Sequence, residues 1–225
     1  MRSLYPALLA SLLVLSPLAC KQSSGSAKAP TDSTTARPSG PKLPKPLKLP
    51  DSPQAVVHVD SPNALLSEVL AYSPASISPR QAVAQALQQS GQTFETQLFP
   101  HVGLGRAWNM AIVEGQTIIH VPVQKSSLDQ LAAMLSKLPA EGDFGAVKIP
   151  RAQGQQGPKL AFLDRDNAML TLADDLAGIA TGPELGRAYG KQAVNITVTA
   201  EQAARYGAQL GAKRATVTGT LDDLK

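Results

Sequence analysis

The side chains able to do chemistry are few and widely spaced. His58 stands in His-Val-Asp, His101 follows Pro100, and His120 lies in Thr-Ile-Ile-His-Val-Pro-Val. No two of them have a ligand spacing such as His-x-x-x-His, and the single cysteine, Cys20, is remote from all three, so a metal site would need carboxylates gathered by the fold. His58 and Asp60 are the best pair, because alternate residues of a strand share a face. An enzyme built on this chain would assemble its site from such scattered groups, with Arg106 beside His58 and Asp60. A solvent-facing His–Asp pair is the plainer account. No Gly-x-Ser-x-Gly elbow is present, nor a Ser-x-x-Lys with its partner motifs. Gly103-Leu-Gly105 lacks the third glycine of a dinucleotide fingerprint and reads as a turn. Asp164-Arg-Asp-Asn167 has Ala168 where a calcium loop needs a ligand, and reads as a hairpin turn. Asp174-Asp175 suits the opening of a helix, where the helix dipole favours acids. Asn195-Ile-Thr197 matches a glycosylation triplet but falls inside an expected strand. The sequence therefore assigns no catalytic residue, no metal ligand and no cofactor.

The elements that must carry these residues are legible in part. AVVHVD (55–60) is a β-branched strand closed by Ser61-Pro62. Leu65, Leu66, Val69 and Leu70 recur at helical spacing over 63–72. Ser78-Pro79 with Gln81 makes a capping box for a helix ending near Ser90-Gly91. Residues 106–123 read as a hairpin turning at Glu114-Gly115-Gln116. Ser127-Leu-Asp-Gln130 is a second capping box, leading a helix with Leu128, Leu131, Leu135 and Leu138 on one stripe. FGAVKIP (144–150) is a strand. KLAFL and AMLTLA form another hairpin, followed by a helix that Thr181-Gly182-Pro183 should interrupt. AVNITVT (193–199), a helix capped by Thr199, and RATVTGTL (214–221) complete the chain. Hairpins separated by single helices favour an α+β fold, an antiparallel sheet with helices packed on one face. Hairpin-then-helix occurs at 106–138 and again at 159–189, which leaves two hairpin-plus-helix units open within one domain, 55–225.

The chain begins MRSLYPALLASLLVLSPLAC, with Arg2 ahead of an apolar core of about eight residues, too short for a span that needs roughly 20. Leu18-Ala19-Cys20 closes it and resembles the lipobox of bacterial lipoprotein precursors, although Pro17 occupies the place where that family usually has leucine. The resemblance implies that residues 1–19 are a signal peptide, that Cys20 takes a diacylglycerol and becomes the acylated N-terminus, and that the partner it reaches is a membrane. Lys21, where an aspartate is similar to an inner-membrane retention signal, implies the outer membrane. Either the periplasmic or the outer face remains open. The order of hairpin, Leu-rich helix and hairpin over 112–172 is similar to uncharacterised bacterial exported proteins, which implies no activity.

Charge separates the chain into two parts. Among 225 residues there are 21 Lys+Arg and 17 Asp+Glu, a net of +4. Residues 21–54 alone hold six basic and two acidic side chains, whereas 55–225 hold 14 basic and 15 acidic. A near-neutral domain without clustered Lys/Arg argues against nucleic acid. Residues 21–54 hold seven of the 18 prolines and no aromatic residue, so after Cys20 the expectation is a disordered tether, 20–54, reaching on the order of 100 Å when extended. The function these features favour is a lipid-anchored envelope protein whose domain binds or scaffolds an envelope protein or cell-wall component, rather than an enzyme or a structural subunit of an envelope machine.

Overall fold

Every side chain of β1 (Ala55–Val59) is buried. A strand that alternates its side chains between two faces can do this only if both faces are covered, and the rest of the fold supplies the two covers. The computed structural model describes residues 44–51, 53–72, 76–89, 93–151 and 157–198, and the backbone of 217–219. The expected signal peptide, Cys20, the first part of the expected tether and the helix expected after Thr199 lie outside the described residues.

Local chemistry sets most elements. Ser61 accepts from the Ala64 N–H at 3.3 Å, and Pro62 opens α1 (Pro62–Ala71). The Ser78 N–H donates to Gln81 Oε1 at 2.9 Å and the Gln81 N–H to Ser78 Oγ at 3.3 Å, the reciprocal box that starts α2 (Pro79–Gln89). A short helix not anticipated from sequence, α3 (Thr93–Leu98), continues as a 3-10 turn over Phe99–His101. β2 (Trp108–Val113) and β3 (Gln116–Pro122) meet across Glu114-Gly115, with φ of 52° and 80°. Two positive φ values are what a tight right-twisted hairpin requires. Ahead of α4 (Leu128–Leu135), Ser127 makes no side-chain cap bond, because Lys125–Ser127 already form a 3-10 turn that brings the chain in helically. The second expected capping box is therefore not formed. β4 (Ala140–Glu141), β5 (Ala146–Lys148), β6 (Leu160–Asp164) and β7 (Met169–Ala173) follow. Asp164 turns the β6–β7 hairpin by accepting the Asn167 N–H at 3.0 Å. α5 (Leu176–Tyr189) starts where Asp175 accepts the Gly178 N–H at 2.8 Å. It runs unbroken through Pro183, where an interruption was expected. Its packing on the sheet outweighs the lost N–H. β8 (Val194–Val198) and β9 (Val217–Gly219) complete the elements.

Among the described residues the strands form one sheet of nine, ordered β4-β5-β6-β7-β3-β2-β1-β8-β9, with every neighbouring pair antiparallel. The α+β class and the antiparallel sheet of hairpins are as expected. The helices, however, cover both faces. Val57, Val121, Leu170 and Leu172 lie toward the layer of α1–α4, whereas Val56, Ala111, Ile118 and Ala173 lie toward α5. The helices of the two hairpin-plus-helix segments thus fall on opposite faces, and the segments are not alike.

α5 approaches its face through glycines four residues apart, Gly178, Gly182, Gly186 and Gly190. The end of the expected tether then packs on α5: the Leu47 N–H donates to Thr181 Oγ1 at 2.8 Å and Tyr189 Oη to the Pro50 carbonyl at 2.9 Å. Leu47 and Leu49 rest against the cluster that holds Leu185 and Tyr189. Packing on the domain therefore reaches N-terminal of residue 55, to Leu47. Alternation of leucine with proline and lysine lets this stretch bury one side and solvate the other.

Candidate functional site

The sheet registers align a row of polar residues. Asn195, His58, Asn109, His120 and Thr171 are successive cross-strand partners on β8, β1, β2, β3 and β7. All five face α5. Burial of such groups requires hydrogen bonds, and the row supplies them. His58 Nδ1 lies 2.6 Å from Asn109 Oδ1, His58 Nε2 lies 2.9 Å from Asp60 Oδ1, and His120 Nδ1 lies 2.9 Å from Thr171 Oγ1. Asn195 Nδ2 donates to the Tyr189 carbonyl at 3.1 Å, tying the end of α5 to β8.

Of the polar site anticipated from sequence, the structure brings His58 and Asp60 together and leaves Arg106 elsewhere. Arg106 donates to the Asn167 carbonyl at 3.3 Å, in the β6–β7 turn, and to Met169 Sδ at 3.5 Å, at the start of β7. Both nitrogens of His58 are engaged, the residue is 3% exposed, and a Cβ at Gly190 would lie 2.8 Å from its Cε1. No ring nitrogen is left for a reacting group, so His58 fastens β1, β2 and the exposed Asp60 together. His101 is buried at the end of the 3-10 turn, and its carbonyl accepts the Gln124 N–H at 2.8 Å. Among the described residues no group of three or more His, Cys, Asp or Glu is placed to hold a metal.

Burial lowers His120 to a pKa of about 4; the Asp164 charge opposes this shift and the Arg106 charge adds to it. At neutral pH the ring is uncharged, held by Thr171. Burial raises the Asp174 carboxyl, against the Thr117 N–H that it accepts at 2.7 Å. The paired acids open α5 as expected: Asp175 caps it and Asp174 fixes β3 beside it.

Sequence reasoning missed a second site on the opposite face. A cavity of about 140 Å³ lies between the sheet and α1–α3, walled by Val57, Leu65, Val83, Phe99, Trp108 and Ile119 among others. Trp108 Nε1–H is satisfied by the Gly103 carbonyl at 2.7 Å, leaving the ring as an apolar wall. Glu95 is the single ionisable residue of the lining. Its carboxylate is held by both terminal nitrogens of Arg151, at 3.0 and 2.5 Å, and each partner is only about one-tenth exposed.

No protein-family model, no curated protein and no solved structure matches the chain. No helix among the described residues is long and apolar enough to cross a membrane.

Proposed function

We propose that the folded part is a non-catalytic binding module for a small apolar ligand, and that lipid on Cys20 carries it at the cell envelope, in the outer membrane. The cavity carries this reading. An engineered void of about 150 Å³ with a similar lining takes up benzene, so a ligand of about six heavy atoms fits without rearrangement. Burying such a chain at about 0.8 kcal/mol per CH₂ is worth about 4–5 kcal/mol, which corresponds to a Kd of about 0.2–1 mM. The closed coordination of His58 favours binding over catalysis.

Trp108 is the only tryptophan and lines the cavity, so its fluorescence reports occupancy directly. Titration with 1-hexanol should shift Trp108 emission with saturation in that range, and Val83→Phe, which fills the cavity from α2, should abolish the response. A non-saturating response shared by both proteins would remove the ligand reading. Anchoring is tested separately. Cys20→Ala should leave an uncleaved precursor or soluble material, since the thiol is the acceptor for the diacylglycerol. Unchanged mature mass and membrane fractionation of that variant would rule the anchor out.

A further inference from the structure

We propose that the cavity holds one end of an amphiphile, tail first: about six heavy atoms of an alkyl chain lie inside, while the polar group and any further chain stay in solvent. The inference rests on the cavity being a ligand site, and it names the class of ligand. The cavity is not sealed. It opens to solvent, and Trp108, Met110 and Ile119 in its wall are only half-buried. Its lining is apolar, and the polar side chains that border it are engaged elsewhere. Trp108 Nε1–H donates to the Gly103 carbonyl at 2.7 Å, and each carboxylate oxygen of Glu95 is bonded to an Arg151 nitrogen. Asn109 turns its amide to the opposite face of the sheet, 2.6 Å from His58 and against Gly186 of α5. The wall strands β1, β2 and β3 satisfy their backbone groups within the sheet. A ligand hydroxyl, amine or carboxyl drawn inside would lose its water and gain no hydrogen bond in return, which is unfavourable. Methyl and methylene groups carry no such cost. The volume of about 140 Å³ therefore limits how much of a chain is held, and the opening leaves the length of the chain unrestricted.

The test follows Trp108 fluorescence of the whole protein through the straight-chain 1-alkanols from butanol to octanol, and through 1,6-hexanediol. Each CH₂ that enters the cavity strengthens binding about fourfold. Affinity should therefore climb from butanol to hexanol and then level off through heptanol and octanol, whose extra carbons lie outside. The diol has the length of hexanol but must carry one hydroxyl inside, so it should bind at least about tenfold more weakly. A diol that binds as tightly as hexanol overturns the tail-first reading alone, since the cavity would then supply a polar partner. A rise that continues unbroken to octanol also overturns it, because the cavity would not be what bounds the chain. Both results come from the unaltered protein, so neither depends on a variant that folds. Absence of saturable hexanol binding overturns the cavity reading and this inference with it.

Discussion

Gly182→Ala should destabilise the protein by about 2 kcal/mol, while Gly186→Ala, one helical turn away, should stabilise it by up to about 1 kcal/mol. Intrinsic helix propensity favours alanine at both positions by about 1 kcal/mol. Packing separates them. A Cβ at Gly182 would lie 2.5 Å from Thr171 Cγ2, 3.0 Å from Thr171 Oγ1 and 3.2 Å from His120 Nδ1. Thr171 is fully buried in the middle of the sheet and bonded to His120, so it cannot retreat without breaking the row. Overpacking of that kind costs about 1–3 kcal/mol and occasionally more. At Gly186 the nearest atoms belong to Asn109, 3.6 Å away, an ordinary contact. Urea unfolding of the two variants measures the difference, about 3 kcal/mol between closely related substitutions. An equal response from both would mean that α5 does not sit on the sheet through its glycines.

The same helix shows how far the fold is readable in advance. Hairpins and helix starts depend on neighbours within four residues. Glu114-Gly115 and Ser78 with Gln81 performed as their chemistry requires. Ser61-Pro62, read as the close of a strand, also starts α1, and Ser127 lost its cap to the 3-10 turn before it. Elements whose fate depends on distant packing were less readable still. Pro183 reads as a break, yet the sheet under α5 holds the helix together across it. Six residues of α3 are too few for a periodic signal. The two-sided cover was legible without being read: AVVHV alternates no polar residue outward except His58, and the glycines recur every four residues from 178 to 190.

The sites depend on pairings that no local pattern encodes. His58 and Asp60 share a strand, so their contact was readable. Arg106 was tied to them only by charge type; its partners at 167 and 169 follow from β3 lying between β2 and β7. The polar row needs the whole register, and Glu95 meets Arg151 across 56 positions. A cavity is a place where side chains fail to meet, and it has no residue of its own to announce it.

Acid should weaken the fold through His120. Its folded pKa is about 4, against an ordinary value of 6.5, because burial disfavours the charged ring. Between those values the unfolded chain binds the proton and the folded protein does not, so stability rises with pH across this window and is lost as pH falls through it. The full shift is worth about 3 kcal/mol, with a slope approaching 1.4 kcal/mol per pH unit. The groups acting on the ring are Asp164, which favours its charging, and Arg106, which opposes it. Asp174 works in the opposite sense: its raised carboxyl pKa makes the folded protein hold that proton more firmly, so stability from this group declines as pH climbs above 3.8. The wild-type curve mixes both contributions, and the comparison that isolates His120 is His120→Gln, whose amide can still meet Thr171 but does not titrate. Urea unfolding from pH 7 to pH 4 should show a steep loss for the wild type and a much flatter curve for the variant. Parallel curves would place the acid sensitivity on the carboxylates and leave His120 without a part in it.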